Sequence, residues 1–178
     1  MFESISYGSL GSIEIVKSDI PTAQNYIERD LQLTLDLGDK QGQSIAFGLM
    51  GELCNLKQEE ELALEYFDRQ ERLAQELHYS KGIVKAHTGR YYSWLYQGRH
   101  QKIEYEFKSF DQSVLGINQA SVDYFIPVLL SRLILKEPDL ALEVLQILTS
   151  YSQQLNTTIA RFYVDWFGKF MENQNKER

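Results

Sequence analysis

The side chains that could do chemistry are few and scattered. The three histidines, His78, His87 and His100, stand nine and thirteen residues apart. A helical zinc site needs two imidazoles on one face, and neither spacing gives that. His87 falls instead on a packing position. The serines show no nucleophile-elbow pattern. Cys54 is the only cysteine, which excludes an internal disulfide and any cysteine-based zinc cluster. Carboxylates are abundant, but they follow a solvent-facing helical pattern. Acid–base work needs two of them in a desolvated cleft. The stretch "LGDKQG", residues 37–42, sets two glycines around an acid and a base. A phosphate loop would follow a strand and continue into Lys-Ser or Lys-Thr, and neither feature is there. The expectation is a protein with no catalytic residue, no metal and no cofactor, and so not an enzyme.

Composition narrows the partners. The chain has 178 residues and a formal charge of −7. Nucleic-acid binding needs a basic face. Here the basic cluster is only Arg90, Arg99, His100 and Lys102, diluted by acids, so no nucleic-acid partner is expected. Apolar runs are short, such as "FIPVLL" at 125–130, and none would span a membrane. The N-terminus lacks the basic start and apolar stretch of a signal peptide. A reducing, cytoplasmic setting is expected.

A repeat positions these residues. At a lag of forty, Gly11 falls on Gly51, Ala23 on Ala63, Tyr26 on Tyr66, Arg29 on Arg69 and Gly42 on Gly82. Matches at one fixed lag mean a structural repeat. Each unit reads as two helices. "SIAFGLMGELCNL" places Ile45, Leu49, Leu53 and Leu56 at helical spacing, and "EELALEYFDRQERLAQEL" does the same with Leu62, Tyr66, Leu73 and Leu77. Gly51 and Ala63 read as the small pair where the two helices touch. Glu65 with Arg69 and Asp68 with Arg72 are acid-before-base pairs four apart, expected on a solvated outer face. "LGDKQG" then falls where one unit ends and the next begins. Gly38 can take the left-handed conformation that closes a helix, and Asp39 can cap the next.

The spacing resembles the tetratricopeptide repeat, W-x2-L-G-x2-Y followed by A-x3-F. The matching residues are Phe47-x2-Met50-Gly51-x2-Cys54 with Ala63-x3-Phe67. One unit earlier come Tyr7-x2-Leu10-Gly11 and Ala23-x3-Ile27. One unit later come His87-x2-Arg90-Tyr91-x2-Trp94 and Ile103-x3-Phe107, and a fourth unit offers Ala141-x3-Leu145. The forty-residue lag resembles the family's long variant, whose second helices run on for more than a further turn. Arg132 departs from the pattern, standing at a normally apolar position. The resemblance implies an all-α, right-handed α-solenoid of antiparallel helix pairs in a single domain. Its units would cover about 4–40, 44–80, 84–118 and 122–156, with a C-terminal capping helix over about 157–173.

The same resemblance implies a concave groove lined by the first helix of each unit, binding a protein or peptide. Carried onto this sequence, the partner-binding residues are Glu52, Asn55, Lys85, Thr88, Tyr92 and Tyr96, with Ile45 and Gly48 beside them and Asp123, Ile126 and Leu130 in the fourth unit. Some relatives clamp a peptide's C-terminal carboxylates. At those positions stand Gly8, Ser12, Leu49, Lys85 and Gly89, of which only Lys85 suits an anion. Two functional classes follow. One is an adaptor or scaffold that holds a partner peptide or helix. The alternative is a regulatory or sensor fragment of a larger signalling or transcription-regulating protein. At the C-terminus, Ile159, Tyr163, Trp166, Phe167 and Phe170 form one apolar stripe, expected to cap the fourth unit against Leu142, Leu145 and Leu148. A homodimer through this aromatic helix is the weaker alternative.

Overall fold

A left-handed residue closes a helix every twenty positions. Ser18, Gly38, Gln58, His78 and Gly98 take φ of 61°, 65°, 62°, 51° and 69°. In each turn the next residue's N–H donates back five positions, as Asp39 does to the Thr34 carbonyl at 2.9 Å and Glu59 to that of Cys54 at 2.9 Å. This pairing satisfies carbonyls that a helix end leaves open. Asp39 then accepts from the Gly42 N–H at 2.9 Å and starts the following helix. "LGDKQG" is therefore a helix stop and a helix start.

The computed structural model describes residues 2–116, 118–155, 161–162 and 164–170. The described residues are helical throughout apart from turns, with no strand among them. The helices are α1 (Phe2–Lys17), α2 (Ile20–Asp36), α3 (Lys40–Leu56), α4 (Glu60–Glu76), α5 (Ser80–Tyr96), α6 (His100–Ser109), α7 (Gln119–Ile134) and α8 (Pro138–Leu155). Residues 161–162 and 164–170 are also helical. No described helix is long and apolar enough to cross a membrane. The chain divides within α5 into two compact units, Met1–Ser93 and Trp94–Arg178.

In the first unit the sequence repeat is a repeat of contacts. α1 packs on α2, α3 on α4, and α3 also on α1 and α2. Tyr7 stacks on Tyr26 at 6.2 Å, and forty residues on Phe47 stacks on Tyr66 at 6.2 Å. Arg29 covers the Tyr7 ring as Arg69 covers that of Phe47, at 6.0 and 5.7 Å. A Cβ on Gly11 would meet Ile27 at 2.6 Å, and one on Gly51 would meet Phe67 at 2.5 Å. The partner of Gly51 is thus the Phe67 ring rather than Ala63, because the ring fills the gap the glycine leaves. Ala23, Ile27, Leu49 and Leu53 form one buried cluster, and Cys54, Ala63 and Phe67 another.

The expected outer face of α4, Glu65, Asp68, Arg69 and Arg72, is exposed, but one of its two expected pairs does not form. Glu65 does pair with Arg69, at 2.5 Å. Asp68 turns instead to Arg90 of α5, at 3.1 Å, and Arg72 donates only to the Asp68 carbonyl. Arg90 is 7% exposed and binds Glu71 as well, at 2.7 Å.

In the second unit α7 packs on α6 and α8. Its core holds Phe107, Tyr124 and Phe125, with ring centroids 5.4–6.2 Å apart. The long second helix expected in the third unit is absent. α6 ends at Ser109, after ten residues. Phe110 is extended and lays its ring on Tyr124 at 5.0 Å, while Asp111 accepts from the Ser113 N–H and turns the chain. Arg132 is buried, and Glu104 binds it at 2.9 and 3.2 Å. It also donates to the Leu140 carbonyl and lies over Phe107. An arginine thus does the work of an apolar knob by being fully paired.

Candidate functional site

Two neighbouring grooves open on the first unit. The larger, about 640 Å³, is lined from α1 by Gly8, Ser12 and Ile13, from α2 by Asp30 and Thr34, from α3 by Ile45 and Leu49, and from α5 by Lys85. The smaller, about 190 Å³, shares Ile45, Leu49 and Lys85 and adds Gly48, Glu52, Gln70 and Tyr79. The glycines make room. A Cβ on Gly8 would stand 3.1 Å from Asp30 Oδ2, and one on Gly48 would stand 2.5 Å from Gln70 Nε2. The rim is apolar and open, with Ile13 49% and Ile45 42% exposed.

Asp30 is the unusual group. It lies on the buried face of α2 with Ala23, Ile27 and Thr34, and is 3% exposed. The Gly8 N–H donates to its Oδ1 at 3.1 Å. Burial pushes the carboxyl up, the Gly8 bond draws it partly down, and the charge of Asp39 raises it again, to about 6. No ion pair joins it among the described residues.

The residues expected to bind a partner are placed unequally. Lys85 is exposed and lines both grooves; Glu52 is exposed and lines the smaller. Asn55 lies outside both. Its Nδ2 donates to the Gly89 carbonyl at 3.3 Å and its Oδ1 accepts from Ser93 Oγ at 2.6 Å, so it joins α3 to α5. Thr88 is buried and donates to the Val84 carbonyl. Tyr92 is half-buried. Tyr96, in the second unit, is 68% exposed. In the fourth repeat Ile126 is buried at 3% exposure, so it is core and not groove lining. Of the carboxylate-clamp positions, Gly8, Ser12, Leu49 and Lys85 do line the larger groove, with Asp30 beneath them. The polarity is the reverse of an anion clamp.

The other reactive side chains are engaged in packing. Arg90 of the small basic cluster is buried and paired, which removes it from any basic face. His87, also buried, lies with Nε2 3.3 Å from Glu71. Burial pushes the Cys54 thiol up to about 11, so it is no thiolate at neutral pH. Among the described residues no three His, Cys, Asp or Glu side chains converge as a metal site requires.

Sequence reasoning passed over Asp30, Ile13 and Thr34. The signal was present in the lag itself, which sets Asp30 on Gln70 within the apolar face of a second helix. No protein-family model and no curated protein matches the sequence.

Proposed function

We propose that the chain is a tetratricopeptide-like binding module, a right-handed stack of antiparallel helix pairs that holds a partner protein's peptide or helix in the grooves of the first unit. The reading is of binding rather than catalysis, in a cytoplasmic setting. One observation carries it: an open groove of about 640 Å³ whose rim leaves Ile13 and Ile45 in water. Exposed apolar side chains around a concavity are what a recognition surface offers. The forty-residue repeat of paired contacts supports the architecture.

A displayed library of random peptides, selected on the full chain, tests this. Peptides should be captured by the wild type and lost with Ile45→Glu, which places a charge on the apolar rim while leaving the buried core untouched. Peptides held equally by Ile45→Glu would put the binding surface elsewhere. Failure to capture any peptide would remove the support for a peptide-binding groove.

A further inference from the structure

The larger groove contains a carboxylate that packing alone does not require. Forty residues on, the same place beside a helix glycine is filled by Gln70, a neutral amide, 3% exposed like Asp30. The equivalent site between the helices is therefore filled without a charge. Asp30 satisfies the packing with one oxygen, Oδ1, bonded to Gly8. Oδ2 accepts no hydrogen bond among the described residues, and the residue lines open volume. A buried charge without a counter-ion is strongly unfavourable. A ligand that brings the opposite charge removes that penalty.

We infer that this groove is a cation pocket, built to receive the protonated amine or guanidinium of a lysine or arginine side chain on a partner peptide, with Asp30 as the counter-charge. The inference rests on the peptide-binding reading above and gives it a polarity. The apolar walls, Ile13, Ile45 and Leu49, suit the methylene stem of such a side chain, which packs on apolar surface while its head reaches a charge. The other charged groups lining the groove are Asp39, from the start of α3, and Lys85, from α5. The α1 residues lining it are neutral. Asp39 adds to the attraction. Lys85 forms no ion pair with Asp30 and, as a like charge, offsets part of that attraction, so the two carboxylates against one lysine leave the groove net acidic.

Binding should therefore be coupled to protonation. With Asp30 titrating near 6 in the free protein, a cation finds a full charge above that pH and a neutral acid below it. Affinity should rise from pH 5 to pH 7.5 and level off.

The test uses N-acetyl-lysine methylamide and N-acetyl-arginine methylamide, with the uncharged N-acetyl-norleucine methylamide as control. The Gly8 amide resonance, hydrogen-bonded to Asp30, is the reporter. At pH 7.5 the cationic probes should shift it saturably and the norleucine probe should not. Asp30→Asn keeps an acceptor for Gly8 and should weaken binding by about tenfold or more, the effect of losing a charge-assisted bond. Wild type and variant should give matching amide spectra away from the groove. The inference is overturned by equal shifts from the norleucine probe, by unchanged affinity in Asp30→Asn, by no saturable shift, or by a saturable response to Mg²⁺ or Ca²⁺ in preference to the amides. Its fate is separable from that of the module reading. Displayed peptides that depend on Ile45 but carry no required Lys or Arg would sink the cation pocket alone. Amide binding without any peptide capture would sink the module alone.

Discussion

The ring of Phe67 lies against Gly89 so closely that a Cβ on residue 89 would overlap it. The same edge of the ring also faces Gly51, where an added Cβ would stand 2.5 Å from it. Phe67 is 1% exposed and has nowhere to move. It is a wedge held between α3 and α5.

Gly89→Ala should therefore destabilise the protein. Alanine gains up to about 1 kcal/mol of helix propensity. Overpacking a ring that cannot yield costs about 1–3 kcal/mol, so the clash should win. Urea unfolding followed by circular dichroism checks the sign. A second substitution, Phe67→Leu, should make the added methyl much less harmful than it is in the wild type. A stabilised Gly89→Ala would show that the ring has room to give.

Glu71 should make the first unit acid-sensitive. Burial pushes its carboxyl up, but the His87 hydrogen bond and the Arg90 charge overcome that and hold it down, at about 2 against an ordinary 4.5. A depressed carboxylate stabilises the fold above its unfolded pKa. That contribution is lost as pH falls from about 4.5 towards 2. Its size is about 2–3 kcal/mol, from the usual 1.4 kcal/mol per pH unit discounted for partial exposure. Glu71→Gln should lower stability at pH 7 and flatten the pH dependence in that window. An unchanged acid limb would mean that other carboxylates govern it.

Asp30 carries the opposite sign. Its folded pKa, about 6, stands above its ordinary 3.8. Its contribution is most favourable below about 4 and is lost as pH rises through 6. Asp30→Asn should raise stability at pH 7.5 by about 1–3 kcal/mol and change little at pH 4. Chemical denaturation at the two pH values separates this from a general packing effect. Equal changes at both would show that charge is not the cause.

The fold was legible because its punctuation is regular. Gly38 and Asp39 announced a stop and a start, and both do what their chemistry suggests. Ser18, Gln58, His78 and Lys136 take the same left-handed conformation without any residue-type signal. The turn there is imposed by the packing of the helices it joins. α6 was misjudged because its early end comes from Phe110 docking on Tyr124, a tertiary contact with no local mark. Arg132 looked like a flaw in the register. Glu104, twenty-eight positions away, is what makes it acceptable. The site was legible only in part. Lys85 and Glu52, taken by position, do line a groove. Asn55 and Thr88 bond within the chain, which sequence does not reveal, since a polar residue on a helix face gives no sign of whether its bonds go inward or outward.

The C-terminal aromatic stripe divides into two faces. Ile159 and Tyr163 lie outside the described residues. Phe167 is 1% exposed, whereas Phe162, Trp166 and Phe170, spaced four apart, are 61%, 50% and 39% exposed. Trp166, Phe167 and Phe170 therefore do not share one buried face, because a step of one residue turns a side chain about 100° around the helix. On α8 the inward positions are Ala141, Val144 and Leu148, while Leu142 is 40% exposed and Leu145 half-buried, so the expected capping face is also displaced. A Phe buried to this extent has cover within its own chain. Phe167→Ala should destabilise the second unit by about 3–5 kcal/mol, and Trp166→Ala by about 1 kcal/mol, since half of its surface is already in water. Trp94 and Trp166 are the only tryptophans and both belong to the second unit, so in Phe167→Ala indole fluorescence reports that unit's unfolding. The exposed stripe also tests the homodimer. If a second copy covers it, Trp166→Ala should change a dimeric mass to a monomeric one in light scattering while leaving Phe167 and the fold intact. If the mass is unchanged and only Phe167→Ala weakens the protein, the helix serves its own chain alone.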